Sequence, residues 1–411
     1  MIKKTIILSV CILCASILFA QQEEKVKLKI SGFVSAEAVF DTRKVVAARD
    51  GDVLLYPAPE VLDDNGKDIN EDGGFSFFSI HSRLRARTTP YKLWGGLLTA
   101  LVEVDFVGTT DDKISMVRMR HAMMQYKKGK NSIIAGQYWH PMFVTSCFPE
   151  ISSWGAAVPV SILSRNPQIR FTREFTKYFR GSITALSQVD FKSNGPKGAS
   201  SDYLRNTSIP EFDVHLEYGN PNDFVFGVVA GSKELKPREL NEKGNKVEES
   251  IRTYHALAYA SLKTSKMQYK LQGIYAEDGY NMLLLGGYGV SDVDAKINEY
   301  SYESIASSTI WGEVVSHYDS PVNFGLFAGY AKNMGADKEI LTDKGIYARG
   351  ANIDNVLRIA PRIIWGYNNF KIMAEVNQTF ASYGTPNSKM EVQDTKRVGN
   401  TRLQLHFKYS F

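Results

Sequence analysis

His81, Arg83, Arg85 and Arg87 recur at every second position of H-S-R-L-R-A-R, while Ile80, Leu84 and Ala86 occupy the alternate parity. In an extended strand this spacing puts cations on one face and apolar groups on the other. Arg118 with Arg120, Arg165 with Arg170, and Arg358 with Arg362 repeat the device along the chain. A guanidinium is permanently charged and presents a planar fork of donors, so a row of them binds carboxylate or attracts mobile anions. Glu103 and Asp105 lie on a strand between two of these rows, and Glu37 and Asp41 flank the other side as further counter-charges. Two outcomes follow: cross-strand ion pairs that stiffen a wall, or an arginine excess forming an anion-attracting stripe, as rings of Arg or Lys do in anion pores.

The elements that must carry these rows read as strands. Period-2 patterning marks sixteen of them, near 27–41, 74–89, 94–109, 114–128, 131–139, 165–174, 179–191, 209–219, 222–231, 251–264, 266–277, 305–316, 321–332, 354–366, 369–382 and 396–411. The last is the clearest: Leu403, Leu405, Phe407, Tyr409 and Phe411 alternate with Arg402, Gln404, His406, Lys408 and Ser410. It resembles the closing strand of outer-membrane barrels, in which an aromatic C-terminal residue serves as an assembly signal, here Phe411. Tight turns are expected at Pro90-Tyr91-Lys92, Gly129-Lys130, Asn220-Pro221, 263–266, 319–321 and Asn368-Asn369, after every second strand. The other connections are mostly long and polar, 110–113 being the short exception. Such alternation around an even strand count predicts an all-β fold, a 16-stranded antiparallel transmembrane β-barrel with both termini in the periplasm. The arginine face must then point inward, since arginine facing lipid at mid-membrane costs roughly 2–4 kcal/mol. A soluble β-sandwich would need the charged faces in its core.

Lys3 and Lys4, an apolar run from Ile6 to Phe19, and Ala20 ahead of Gln21-Gln22-Glu23-Glu24 have the layout of a cleaved export signal. The expected organisation is a signal peptide over 1–20 and a single barrel domain over 21–411. Without Lys3 and Lys4, 47 basic residues face 44 acidic ones, and no basic tract points to nucleic acid. Of three cysteines only Cys147 lies in the expected mature chain, so no intrachain disulfide forms there; it reads as a loop packing residue. No later apolar run approaches the roughly 18 residues of a spanning helix. Scattered histidines and the absence of G-x-S-x-G argue against an enzyme, and no cofactor motif appears. Asp68, Asn70 and Asp72 match half of a calcium loop, but Ser79 stands where the bidentate glutamate belongs, leaving a weak Ca candidate and otherwise no metal site.

The connection spanning 139–165, W-H-P-M-F-V-T-S-C-F-P-E-I-S-S-W-G-A-A-V-P-V-S-I-L-S-R, is the third of the long-loop side and too apolar to stay in solvent. Folded inward it forms a constriction loop, with Trp139, His140, Glu150 and Trp154 beside Arg165 as lining residues. Packing on a neighbouring subunit is the alternative.

The succession F-S-I-H-S-R-L-R-A-R-T-T-P (78–90), L-V-E-V-D-F-V-G (101–108), V-R-M-R-H-A (117–122), I-I-A-G-Q-Y-W (133–139) and R-N-P-Q-I-R-F-T (165–172) resembles the DcaP-like porins in motif order and spacing. The match covers about a quarter of the chain. The resemblance implies a homotrimeric porin of the Gram-negative outer membrane, embedded in outer-membrane lipid and passing small anionic solutes. Arg83, Arg85, Arg118, Arg120 and Arg170 would line its lumen. Gln21 to Lys29 is too short for the N-terminal coiled coil of longer members. The expected function is passive diffusion of small hydrophilic, anionic solutes; the alternatives are a non-conducting surface barrel for adhesion or partner binding, and a substrate-specific channel.

Overall fold

A computed structural model describes residues 26–153 and 155–411. The segment 1–20 read as an export signal, and Trp154, lie outside the described residues. Sixteen staves form the wall: β1 Leu28–Asp41, β2 in two segments (Gly74–Phe78 and Arg83–Thr88), β3 Gly96–Asp105, β4 Arg118–Lys128, β5 Asn131–Trp139, β6 Arg165–Glu174, β7 Phe179–Leu186, β8 Glu211–Gly219, β9 Phe224–Leu235, β10 Ile251–Lys263, β11 Met267–Ala276, β12 Glu299–Ser316, β13 Val322–Gly335, β14 Ile353–Tyr367, β15 Phe370–Pro386 and β16 Val392–Ser410. Each pairs antiparallel with the next, and β16 returns to β1 with Val34 opposite Tyr409 and Asp41 opposite Arg402. Phe411 completes the seam by exchanging backbone hydrogen bonds with Gly32 at 2.9 and 3.0 Å. Among the described residues closure leaves the wall no unpaired edge, a condition for backbone to cross hydrocarbon. Among the described residues no helix is long and apolar enough to cross a membrane.

Side chains invert the distribution of a soluble protein. Along β9 the outward positions are Phe224, Phe226, Val228 and Ala230; along β10 the inward ones include Thr253, His255, Tyr259 and Ser261. Leu403, Leu405, Phe407 and Tyr409 of β16 are exposed outside, while Arg402, Gln404 and His406 are buried inside. A β-sandwich is thereby excluded: the apolar band faces outward and the polar residues face the interior.

Two details depart from expectation. The turn between β2 and β3 is Trp94-Gly95, both with positive φ, and not Pro90-Tyr91-Lys92; after Pro90 the chain resumes pairing, with Lys92 opposite Leu97. Gly95 supplies the left-handed conformation that a two-residue hairpin needs. Of the long polar connections expected between strands, 278–304 and 383–395 are largely strand, whereas 333–353 is strand only at its ends and over Ile346–Arg349. β12 begins at Glu299 and β15 and β16 continue to a tip at 387–391, because Tyr, Thr and Val there extend the ladders beyond the apolar band. Segments Gly286–Asp294 and Ile346–Arg349 pair as an extra layer at this end.

Candidate functional site: a charged wall and a plugged lumen

A bulge in β4 opposite Glu103 and Val104 turns Arg118, Arg120 and His121 toward the same side. The resulting lattice is dense. Arg85 Nε donates to Glu103 at 2.7 Å, Arg120 Nε to Glu103 at 2.8 Å, and Arg83 Nε lies 3.6 Å from the same carboxylate. Arg118 forks onto Asp105 at 3.0 and 2.8 Å, and Arg120 Nη1 reaches Asp105 at 2.9 Å. Asp190, from the loop after β7, stands 3.7 Å from Arg49, 3.8 Å from Arg118 and 4.0 Å from Arg165. Six guanidinium groups thus share three carboxylates. Arg165 is sealed between the rings of Trp139 and Phe191, 5.2 and 5.1 Å from their centroids, and Arg170 donates to the Trp139 carbonyl at 2.7 Å. Arg87 is exposed opposite Lys29 near the short-turn mouth.

Other expected members of the wall do something else. Asp41 and Glu37 are not counter-charges of this lattice. Asp41 accepts from Arg402 at 2.9 and 2.8 Å and from Asn400 at 2.7 Å, and Glu37 accepts from Ser35 at 3.0 Å and Gln404 at 2.7 Å. Both side chains serve the β1–β16 seam, where register sets them opposite β16. Arg358 lines no open channel: it is fully buried and donates to the carbonyls of Leu54 and Leu55 at 3.2 and 2.9 Å and to Thr379 at 3.1 Å. Arg362 is sealed against Glu313 at 2.8 Å.

The third loop, described over 140–153 and 155–164, folds inside the barrel. Its backbone is held by wall acids: Glu313 accepts from the Glu150 N–H at 2.9 Å and Glu375 from the Ser152 N–H at 2.7 Å. Lys270 binds the Phe148 carbonyl at 3.0 Å and is ion-paired with both Glu150 and Glu313. Met142, Val144, Cys147, Val158, Val160 and Ile162 pack on wall residues including Val229, Leu257, Trp311 and Phe327. Cys147 donates to the Ala260 carbonyl at 3.5 Å, the packing role expected of it. Glu150 remains partly exposed, whereas His140 is wholly buried at the loop's root and lines no opening.

The first loop also enters the lumen, which the sequence reading missed. Val45–Ala48 pairs with Val53–Pro57, and Val53, Leu55 and Tyr56 join the third loop's apolar cluster. Arg402 caps the hairpin through the carbonyls of Asp52 and Gly51 at 2.9 and 2.7 Å. The signal was present: V-V-A-A-R-D-G-D-V-L-L-Y has Asp-Gly between two apolar runs. Farther along this loop, Asp68 is taken by Arg43 at 2.6 Å and by the N–H groups of Val61 and Asn70 at 3.0 Å, while Asn70 donates to Pro59. These contacts occupy the carboxylate of the calcium candidate Asp68, Asn70 and Asp72.

A closed 16-stranded wall with an inward third loop is the fold of outer-membrane channels. No family model matches the chain, and no curated protein matches it. Among solved structures, the outer membrane channel DcaP of Acinetobacter baumannii aligns over 95% of this chain and 99% of its own, with a TM-score of 0.69 and 16% identity. The trimer form of OmpT, an outer membrane protein of Vibrio cholerae, aligns over 94% and 100% with a TM-score of 0.54 and 12% identity. Salmonella typhi OmpF in complex with daunomycin aligns over 94% and 98%, with a TM-score of 0.52 and 9% identity. At these identities the likeness is one of fold, and it agrees with the DcaP-like architecture expected from the Arg-rich motifs.

Proposed function

We propose that residues 21–411, after removal of 1–20, form a narrow passive channel of a Gram-negative outer membrane that favours small anionic solutes. The observation that carries this reading is the stoichiometry of the lattice, six guanidinium groups to three carboxylates where one inner wall meets the first loop and the loop after β7. Low-dielectric walls around fixed positive charge raise the local concentration of anions. Arg85 and Arg87 are exposed toward the short-turn end, where an anion entering from that side would first meet them. The short turns and the first and last described residues, Val26 and Phe411, share that end, which we assign to the periplasm. Phe411, paired across the seam, serves as the assembly signal. A homotrimer fits the proposed family, and one fold neighbour is described in a trimer form. No group in the lattice is arranged as nucleophile and base, so chemistry is not proposed for it.

Reversal potentials in planar bilayers test the proposal. Anion selectivity is expected, and Arg85→Gln with Arg165→Gln should move the potential toward zero. These two substitutions strand no carboxylate, because Glu103 keeps Arg120 and Asp190 keeps Arg49 and Arg118. A cation-selective wild-type pore defeats the reading. A second reading, a non-conducting surface barrel, is favoured by the apolar plug of the first and third loops; the absence of single-channel current would select it.

A further inference from the structure

Away from the arginine wall, four side chains from three elements converge behind the root of the third loop. Glu211 and Asp213 stand two residues apart on the inner face of β8, His255 is on the inner face of β10, and His140 opens the loop after β5. His140 Nε2 lies 2.8 Å from Glu211 Oε1; His255 Nε2 lies 2.7 Å from Asp213 Oδ1 and 3.7 Å from Glu211 Oε1. One donor atom of each residue falls within 4.8 Å of the others, and all four residues are buried.

Two independent features mark this as a prepared site and not a chance cluster. Asp213, Gly231 and His255 face one another across β8, β9 and β10. A Cβ on Gly231 would stand 2.4 Å from both Asp213 Oδ1 and His255 Nε2, so the glycine makes the space in which they meet. Glu211 Oε2 and Asp213 Oδ2 are buried without a hydrogen-bond partner. Sealed carboxylate oxygens are costly unless a cation or a buried water takes them, and two of them beside two imidazoles favour a cation. The neighbouring Lys233 does not, being held by Asp278 through its carboxylate at 3.0 Å and its carbonyl at 2.8 Å.

We propose that His140, Glu211, Asp213 and His255 bind a first-row transition-metal dication, with Zn²⁺ as the best fit. Two imidazoles and two carboxylates give the tetrahedral N2O2 set that Zn²⁺ accepts, whereas Ca²⁺ and Mg²⁺ prefer oxygen alone. Zn–ligand bonds of about 2.0–2.1 Å place ligand atoms about 3.3 Å apart, so closure needs only small side-chain rotations. Two carboxylates also neutralise the dication, which limits the cost of holding it in a sealed site. The Met142 N–H donates to His140 Nδ1 at 3.1 Å and orients Nε2 toward the cluster. Coordination through Nε2 requires the ring proton on Nδ1, so that contact is exchanged and the metal holds the loop's root to β8 and β10 instead.

The test uses untagged protein folded in detergent, stripped with chelator, dialysed and titrated with ZnCl2 by calorimetry. Co²⁺ absorption reports tetrahedral geometry. One Zn²⁺ per chain is expected, weakened at least about tenfold in His255→Gln and Asp213→Asn, and unaffected in His317→Gln. Gly231→Ala keeps every ligand and should also weaken binding by filling the space between them. Gel mobility and β-sheet circular dichroism verify that each variant is folded. No heat of binding at millimolar Zn²⁺, or binding that persists unchanged in folded His255→Gln and Gly231→Ala, overturns the site and leaves a hydrogen-bonded anchor of the loop.

Discussion

A buried carboxylate clasped by several guanidinium groups is the recurring unit of this lumen, and its cost falls on whichever partner is left alone. Asp105 is fully buried and accepts from both Arg118 and Arg120. Asp105→Asn leaves Arg120 with Glu103 alone and Arg118 with only the more distant Asp190, and should destabilise the barrel by about 2–3 kcal/mol, read from urea unfolding in lipid vesicles. Arg85 is half exposed, so Arg85→Ala should cost less than about 1 kcal/mol by the same measurement. Asp68, in the first loop, gives a pH prediction. Burial works against its charge, but the N–H groups of Val61 and Asn70 and the Arg43 guanidinium outweigh it and hold the carboxyl at about 2. A depressed folded-state value contributes stability that is complete above the ordinary carboxylate range and lost as pH falls through about 2. Protease cleavage within 59–72 should therefore stay slow at mildly acidic pH and accelerate only toward that value, whereas Asp68→Asn should be cut readily at neutral pH.

At the scale of elements, the wall and its contents obey different rules. The staves are held by backbone ladders, and their inward acids work as acceptors for loop N–H groups: Glu313 for Glu150 and Glu375 for Ser152. Glu375→Ala should release the middle of the third loop without breaking an ion pair that holds the wall. The expected result is greater current noise and a higher mean conductance in planar bilayers; an unchanged trace would mean that the apolar packing alone fixes the loop. Removing the hairpin 45–57 should raise conductance further, since its Val53, Leu55 and Tyr56 fill the same cluster. The alternation that defines the staves was readable because a barrel stave has one apolar and one polar face, a local pattern. The Trp94-Gly95 turn was missed because Pro90-Tyr91-Lys92 carries the stronger composition signal, while pairing of Tyr91 to Leu93 with Gly96 to Leu98 is decided across the ladder.

For the whole molecule, selectivity arising from fixed arginines should fade between about 0.1 and 1 M salt, as the screening length contracts from about 10 to 3 Å; reversal potentials measured at both concentrations check this. The sequence by itself determined the number of staves and their antiparallel pairing order, because each follows from periodicity and turn chemistry within a short window; it marked the third loop as too apolar for solvent, and the closed barrel decided that this loop packs on the inner wall and not on a neighbouring subunit. The sequence also marked the arginine rows. How each arginine is paired was decided only by the closed barrel. Asp190 arrives from a loop to join Arg118 and Arg165, Arg402 draws Asp41 away to the seam, and Arg358 vanishes beneath the first loop. The same holds for His140, Glu211, Asp213 and His255. They are spread over more than a hundred residues, no local spacing joins them, and only the registers of β8, β9 and β10, with a glycine between, place their donor atoms together. Parity along a strand is written locally; charge balance and cavity depend on neighbours that closure alone supplies.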